Sequence, residues 1–296
     1  MLKFFKFKNV KTIVILMVLL AVQLSGCGVN NAKNTGKIEV VTTYYPLYSI
    51  TENITDGIDN INLSLLADDS GVCIHDYSFK PEDFKKIETA NLFIVSGFED
   101  EFDDIIKTKE KQNGFILCDS SLNVNKIEDN QYTWLNPHNV IIQAKNISES
   151  MISLDPGNKE KYLANFEKFS SGVSENISKL KEELKPLENT NLVVFHEGFD
   201  YFAEAFNLKI KTYEPEHENG LSPKDVNEIV DYIKTNNVAA LFDEESEESK
   251  LIPVIQEELQ VKSFTLSAAD HGDKGNKNQY VDTMNQNAAT LLKAVQ

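Results

Sequence analysis

The sequence is short of the residues from which compact chemical motifs are built. In 296 residues it has five histidines, three cysteines and one tryptophan. No two of His75, His138, His196, His217 and His271 form an H-x-x-x-H pattern, so a site built on them has to be assembled by the fold. His196-Glu197 lacks the second histidine of H-E-x-x-H, and G-x-S-x-G is missing altogether. Metalloprotease and serine-hydrolase frameworks therefore have no support. Positive charge is scarce too. The formal net charge is -17, and the first 26 residues hold four lysines and no acid, so the remainder is more acidic still. That excludes a nucleic-acid partner, which needs a basic face. It leaves most carboxylates as a solvated surface. No repeat of short period interrupts the chain.

A membrane-spanning run is also missing. Ile13 to Val22 is apolar for ten residues, about half of the roughly 20 that a helical span takes. Behind the lysines Lys3 to Lys11 it suits the apolar core of a secretory signal. Leu24-Ser25-Gly26-Cys27 follows and resembles a bacterial lipobox. The expectation is a leader over residues 1–26, lipid attachment at Cys27, and a polar tether over 27–36. Both this reading and an uncleaved anchor place the bulk of the chain on the extracytoplasmic face of the cell membrane. Cys73 and Cys118 remain. They read as a disulfide, as two buried thiols or, for Cys73 two residues before His75, as a soft metal ligand.

From Lys37 onward, strand-like and helix-like stretches alternate. Lys37–Thr43, Ile61–Leu66, Asn91–Val95 and Phe115–Cys118 read as strands, with a helix over Pro81–Thr89. The pattern predicts a mostly parallel α/β lobe. The middle differs. Between Asp155-Pro156 and Lys185-Pro186, apolar residues fall at Tyr162, Phe166, Phe169, Val173, Ile177, Leu180 and Leu184. Steps of three and four describe one stripe of a long helix. After it the alternation resumes: strands over Leu192–Phe195, Leu208–Tyr213, Val238–Phe242 and Val261–Leu266, helices over Phe199–Phe206, from Pro223 behind a Ser222 cap, and from Gln279 to Val295. The fold class is α/β: two lobes with mostly parallel sheets, over 37–153 and 188–296, joined by one long helix over 154–187.

Two histidines stand at strand exits. His75 lies in the loop after Ile61–Leu66, and His196 ends Leu192–Phe195 directly. In open α/β sheets ligands collect beyond the carboxyl ends of strands. One imidazole from each lobe facing a common cleft predicts a transition-metal site. Protonation of the rings predicts weaker binding below about pH 6.

These residues resemble a known family. Gly71-Val72-Cys73-Ile74-His75-Asp76-Tyr77 with Lys80-Pro81-Glu82-Asp83, Val41-Thr42-Thr43-Tyr44-Tyr45-Pro46, Trp134-Leu135-Asn136-Pro137 and His196-Glu197-Gly198-Phe199-Asp200-Tyr201-Phe202 are similar to segments of the zinc and manganese receptors of ABC importers, the cluster A-I solute-binding proteins. The resemblance covers nearly all of the chain after the tether. It implies a monomeric, non-enzymatic receptor that holds Zn2+, less readily Mn2+, and delivers it to an ABC transporter permease. His75 matches the first ligand and His196 the third, where the manganese receptors tend to carry Glu. The second ligand position is Tyr132 here, with His138 nearby as a substitute. The fourth aligns with Ser267, and Asp270 and His271 are the candidates to replace it. The acids Asp243, Glu244, Glu245, Glu247 and Glu248 read as a helix entry and solvated face, and His217 as exposed in an acidic loop. These departures keep open a relative that acts as a surface adhesin or binds chelated metal.

Overall fold

The computed structural model describes residues 36–67, 77–213, 223–245 and 249–296, without the side chains of residues 223 and 225. The leader, Cys27, Cys73, His75, His217 and the Ser222 cap lie outside the described residues.

Short β-branched stretches set the first sheet. β1 (Ile38–Thr42), β2 (Ile61–Leu65), β3 (Leu92–Val95) and β4 (Ile116–Asp119) pair in the order β2-β1-β3-β4, all parallel. A parallel sheet needs cover on both faces, and β1 shows how the sequence supplies it. Val40 points into the cluster beneath α1 (Tyr45–Ile54) and α4 (Pro137–Leu154). Its neighbour Val41 points the other way, to Phe93 and Phe102. α2 (Pro81–Thr89) begins where predicted, because Pro81 fits the first turn and Asp83 reaches back to the Lys80 amide at 2.9 Å. α3 (Asp103–Lys109) completes that face. The described residues include Cys118 as a free thiol, 3% exposed. Burial pushes it up to about 12, which leaves it inert.

α5 (Lys159–Glu183) is the predicted long helix, preceded by a 3-10 turn at Pro156–Asn158 where the proline and Gly157 delay regular winding. Its 25 residues span roughly 37 Å. Tyr162, Phe169, Val173, Ile177 and Leu180 are buried along the stripe, each contributing about 1.5–3 kcal/mol. The helix serves both lobes. Asn165 donates to the carbonyls of Ile54 and Asp56 at the end of α1. Near the other end Asn176 and Lys179 reach Asn285.

The second sheet repeats the first. β5 (Asn191–Val194), β6 (Lys209–Thr212), β7 (Ala240–Glu244) and β8 (Lys262–Leu266) pair in the order β6-β5-β7-β8, again all parallel. α6 (Phe199–Phe206), α7 (Pro223–Asn236), α8 (Leu251–Leu259) and α9 (Gln279–Leu291) connect and cover it. α9 stops short of the predicted Val295 and tightens into a 3-10 turn. β7 starts two residues later than predicted and runs two further, into the acids. Residues 38–296 form one compact unit. Inside it a single apolar cluster joins Val40 and Leu92 of the first sheet to Leu192 and Phe242 of the second. The outer faces keep separate clusters.

Candidate metal centre

His196 owes its place to strand β5. The ladder with β7 runs to Val194 opposite Phe242 and is extended by a bond from the Phe195 amide to the Phe242 carbonyl at 2.9 Å. The chain then turns sharply into α6, and His196 stands at the turn, 2% exposed. The Gly198 N–H donates to its Nδ1 at 3.1 Å. An Nδ1 that accepts belongs to a neutral ring with its hydrogen on Nε2. A cation at Nδ1 displaces that N–H, and a cation at Nε2 first requires the hydrogen to move to Nδ1. Either route breaks the Gly198 bond.

Tyr132, at the position where the resemblance expects a histidine, is fully buried and meets the His196 ring edge-on, centroids 4.4 Å apart. The contact is held from both sides. The Tyr132 amide donates to Asn130 Oδ1, and Asn130 Nδ2 donates to the Glu197 carbonyl at 2.8 Å. Tyr201 donates its hydroxyl to the Asn130 carbonyl. Gly198 is required here by space: a Cβ on it would stand 2.8 Å from Tyr132 Cβ and Cγ. Trp134 lies beside Tyr132, with centroids 5.2 Å apart, and donates Nε1–H to the Ala268 carbonyl at 2.8 Å. The segment after β4 is thereby stitched to the loops that leave β5 and β8.

The other candidates have different surroundings. His138 is exposed in the first turn of α4, its amide capped by Asn136. Its proton affinity is lowered first by desolvation and then by the charge of Lys181, and a neighbouring cation disfavours a metal ion. Ser267 is fixed by its backbone to Asn287, and its hydroxyl accepts from the Ala269 amide. Asp270 and His271 are brought together with Glu245. Nδ1 of His271 meets Asp270 Oδ1 at 2.8 Å, and Nε2 meets Glu245 Oε1 at 3.0 Å. The hydrogen bond to Asp270 and the charges of Glu245 and Glu244 outweigh desolvation and push His271 up to about 9. At neutral pH the ring is an imidazolium that clamps the loop after β7 to the loop after β8. In that state it has no lone pair for a metal.

The clamp sets a pH dependence. Its folded pKa lies above the unfolded value of about 6.5, so its stabilisation is full below that value and is lost as pH rises through about 9. His271 is 33% and Glu245 43% exposed, so screening limits the contribution to about 1 kcal/mol. Urea midpoints of the natural protein and His271→Gln are expected to differ at pH 6 and to converge by about pH 10. An unchanged difference at both pH values would remove the clamp.

One residue that the sequence reading placed on a solvated face is buried instead: Glu244 is 1% exposed, and Asp243 is 9% exposed. Asp243 accepts the Ser249 amide at 2.8 Å. Glu244 Oε1 accepts the Ala268 amide at 3.3 Å. The usable signal was strand periodicity, since Glu244 is one two-residue step beyond buried Phe242. Among the described residues, no three His, Cys, Asp or Glu side chains gather closely enough to hold an ion.

Two four-stranded parallel sheets with their helices, bridged by a long helix, match the α/β two-lobe fold of solute-binding proteins. The chain belongs to the family described as zinc-uptake complex component A, periplasmic, whose model matches residues 40–294. It is similar to the manganese ABC transporter substrate-binding lipoprotein PsaA of Streptococcus pneumoniae, 28% identical over 97% of this chain and 99% of that one. It is similar also to the high-affinity zinc uptake system protein ZnuA of Bacillus subtilis, 24% identical over 90% and 92%. Among solved structures it shares the fold of the Pseudomonas aeruginosa substrate-binding protein FpvC in complex with Ni2+, at a TM-score of 0.75 and 24% identity, covering 88% of this chain and 97% of that one. The protein is a metal-binding, non-enzymatic component of an ABC importer. No helix among the described residues is long and apolar enough to cross a membrane.

Proposed function

We propose that this protein is an extracytoplasmic lipoprotein, anchored through Cys27, that captures zinc in preference to manganese. His75 and His196 are its imidazole ligands, and an ABC permease receives the ion. The observation that carries the reading is His196, 2% exposed at the exit of β5 and enclosed by Tyr132 and Phe199. Imidazole suits zinc better than manganese, which prefers oxygen. The relatives named for zinc and for manganese agree with a divalent cargo of this kind. His138 stays outside the proposed ligand set because of its exposure and its cationic neighbour. Asp270 and His271 act as the clamp. The shared apolar cluster supports loop-scale rather than wide lobe motion between empty and loaded protein, and the importer reads the loaded state.

Elemental analysis of protein purified as a monomer without chelator tests this reading. About one metal ion per chain, mostly zinc, is expected, and it is expected to be lost in His75→Ala and in His196→Ala. Equal metal content in the three proteins would remove the assignment. Uptake only of a chelated metal would favour the adhesin-like or chelate-binding relative instead.

A further inference from the structure

The geometry points to Glu244 as an oxygen ligand of the captured ion, beside His196. This inference rests on the metal-receptor reading above and deepens it.

In the order β6-β5-β7-β8, the chain leaves β5 to one side for β6 and returns on the other side for β7. A crevice therefore opens between the carboxyl ends of β5 and β7, the place where open α/β sheets bind their ligands. His196 follows β5 and Glu244 is the last residue of β7. Val194 is paired with Phe242, and the Phe195 amide still bonds to the Phe242 carbonyl. His196 and Glu244 are each two residues beyond that pair, on strands about 4.8 Å apart.

Burial makes the same point. The two residues are 2% and 1% exposed, and a carboxylate withdrawn from water needs hydrogen bonds or a cation to offset the loss. Oε1 takes the Ala268 N–H. A carboxylate offers about four lone-pair sites, so it can keep that bond and bind a cation as well. The wall is continuous. Ala268 accepts from Trp134, Trp134 lies against Tyr132, and Tyr132 lies against His196. An apolar rim of this kind limits water at the ion and strengthens its bonds to charged donors. Zinc takes nitrogen and carboxylate oxygen together, usually four donors in all. Beside the His196 nitrogen, Glu244 supplies an oxygen and negative charge.

Glu244→Gln isolates the charge, because the amide oxygen still accepts from Ala268. Zinc affinity is to be measured by chelator competition in the natural protein, Glu244→Gln and His196→Ala, with the thermal midpoint of each metal-free protein. The expected result is a Glu244→Gln protein whose metal-free midpoint is not lowered and whose zinc affinity falls at least about tenfold. Glu244→Asp, which keeps the charge but draws it back by one methylene, repeats the test should the amide variant not fold, and a loss in affinity is again expected. Full affinity in the Glu244 variants, with loss in His196→Ala, overturns this inference and leaves the receptor reading standing. No zinc bound by any of the proteins overturns both.

Discussion

Trp134→Ala is expected to cost about 3–5 kcal/mol of stability, the range for emptying a fully buried tryptophan site. Trp134 is 0% exposed, and its environment cannot collapse to fill the gap. The carbonyl of Trp134 accepts the Tyr280 hydroxyl from α9 at 2.9 Å, while the indole bonds to Ala268 after β8. The ring is thus trapped between a segment of the first lobe and two elements of the second. Trp134→Phe separates the contributions. It keeps most of the packing and forfeits the Ala268 bond, for about 1 kcal/mol. Urea unfolding measures both. A loss under 1 kcal/mol in Trp134→Ala would mean that this junction does not hold the lobes. Zinc binding is expected to weaken in the same variant, since Tyr132 loses the neighbour that keeps it against His196.

That junction also shows where reading a sequence stops. Elements with local signals were legible to the residue. α2 announces itself with Pro81 and an Asp83 that reaches back to the Lys80 amide, and α6 ends at Phe206 because Asn207 takes a left-handed conformation, φ 52°. The long helix followed from its stripe, and the strands from β-branched runs. β7 did not follow. Its apolar pattern stops at Phe242, but its ladder with β8 continues through Asp243 opposite Thr265 and Glu244 opposite Leu266. The pairing decides the strand end, and pairing is a tertiary fact. For that reason two buried acids looked like part of a solvated run.

The centre divides along the same line. The place of His196 was legible because a strand exit is a local feature. The role of Asp270 and His271 was not, because their partner Glu245 is 26 residues away from His271 on another loop, and only the order of β7 and β8 brings them together. His138 depended on helix phase. Asn136 and Pro137 start α4 so that the second residue of the helix, His138, faces outward. A shift of one residue in that start turns a side chain by about 100°, a difference that nothing in the local pattern fixes.

His196→Glu is expected to move the protein's preference toward manganese. On the proposed ligand set, the exchange replaces a nitrogen donor with an oxygen donor at a position only 2% exposed. Zinc affinity should fall at least about tenfold, or 1.4 kcal/mol, while manganese affinity holds or rises. Zinc remains above manganese in the intrinsic affinity order for divalent ions, so the ratio narrows without necessarily reversing. The metal-free variant should also be strained. A second carboxylate beside Glu244 raises the proton affinity of both, and two buried like charges disfavour the fold until an ion or a proton joins them. A divalent ion should therefore raise its thermal midpoint more than it raises that of the natural protein. Competition titrations with both metals, together with the midpoints, test each part. An unchanged ratio of affinities would show that the residue leaving β5 does not touch the ion, and the choice of metal would then have to be made elsewhere in the cleft.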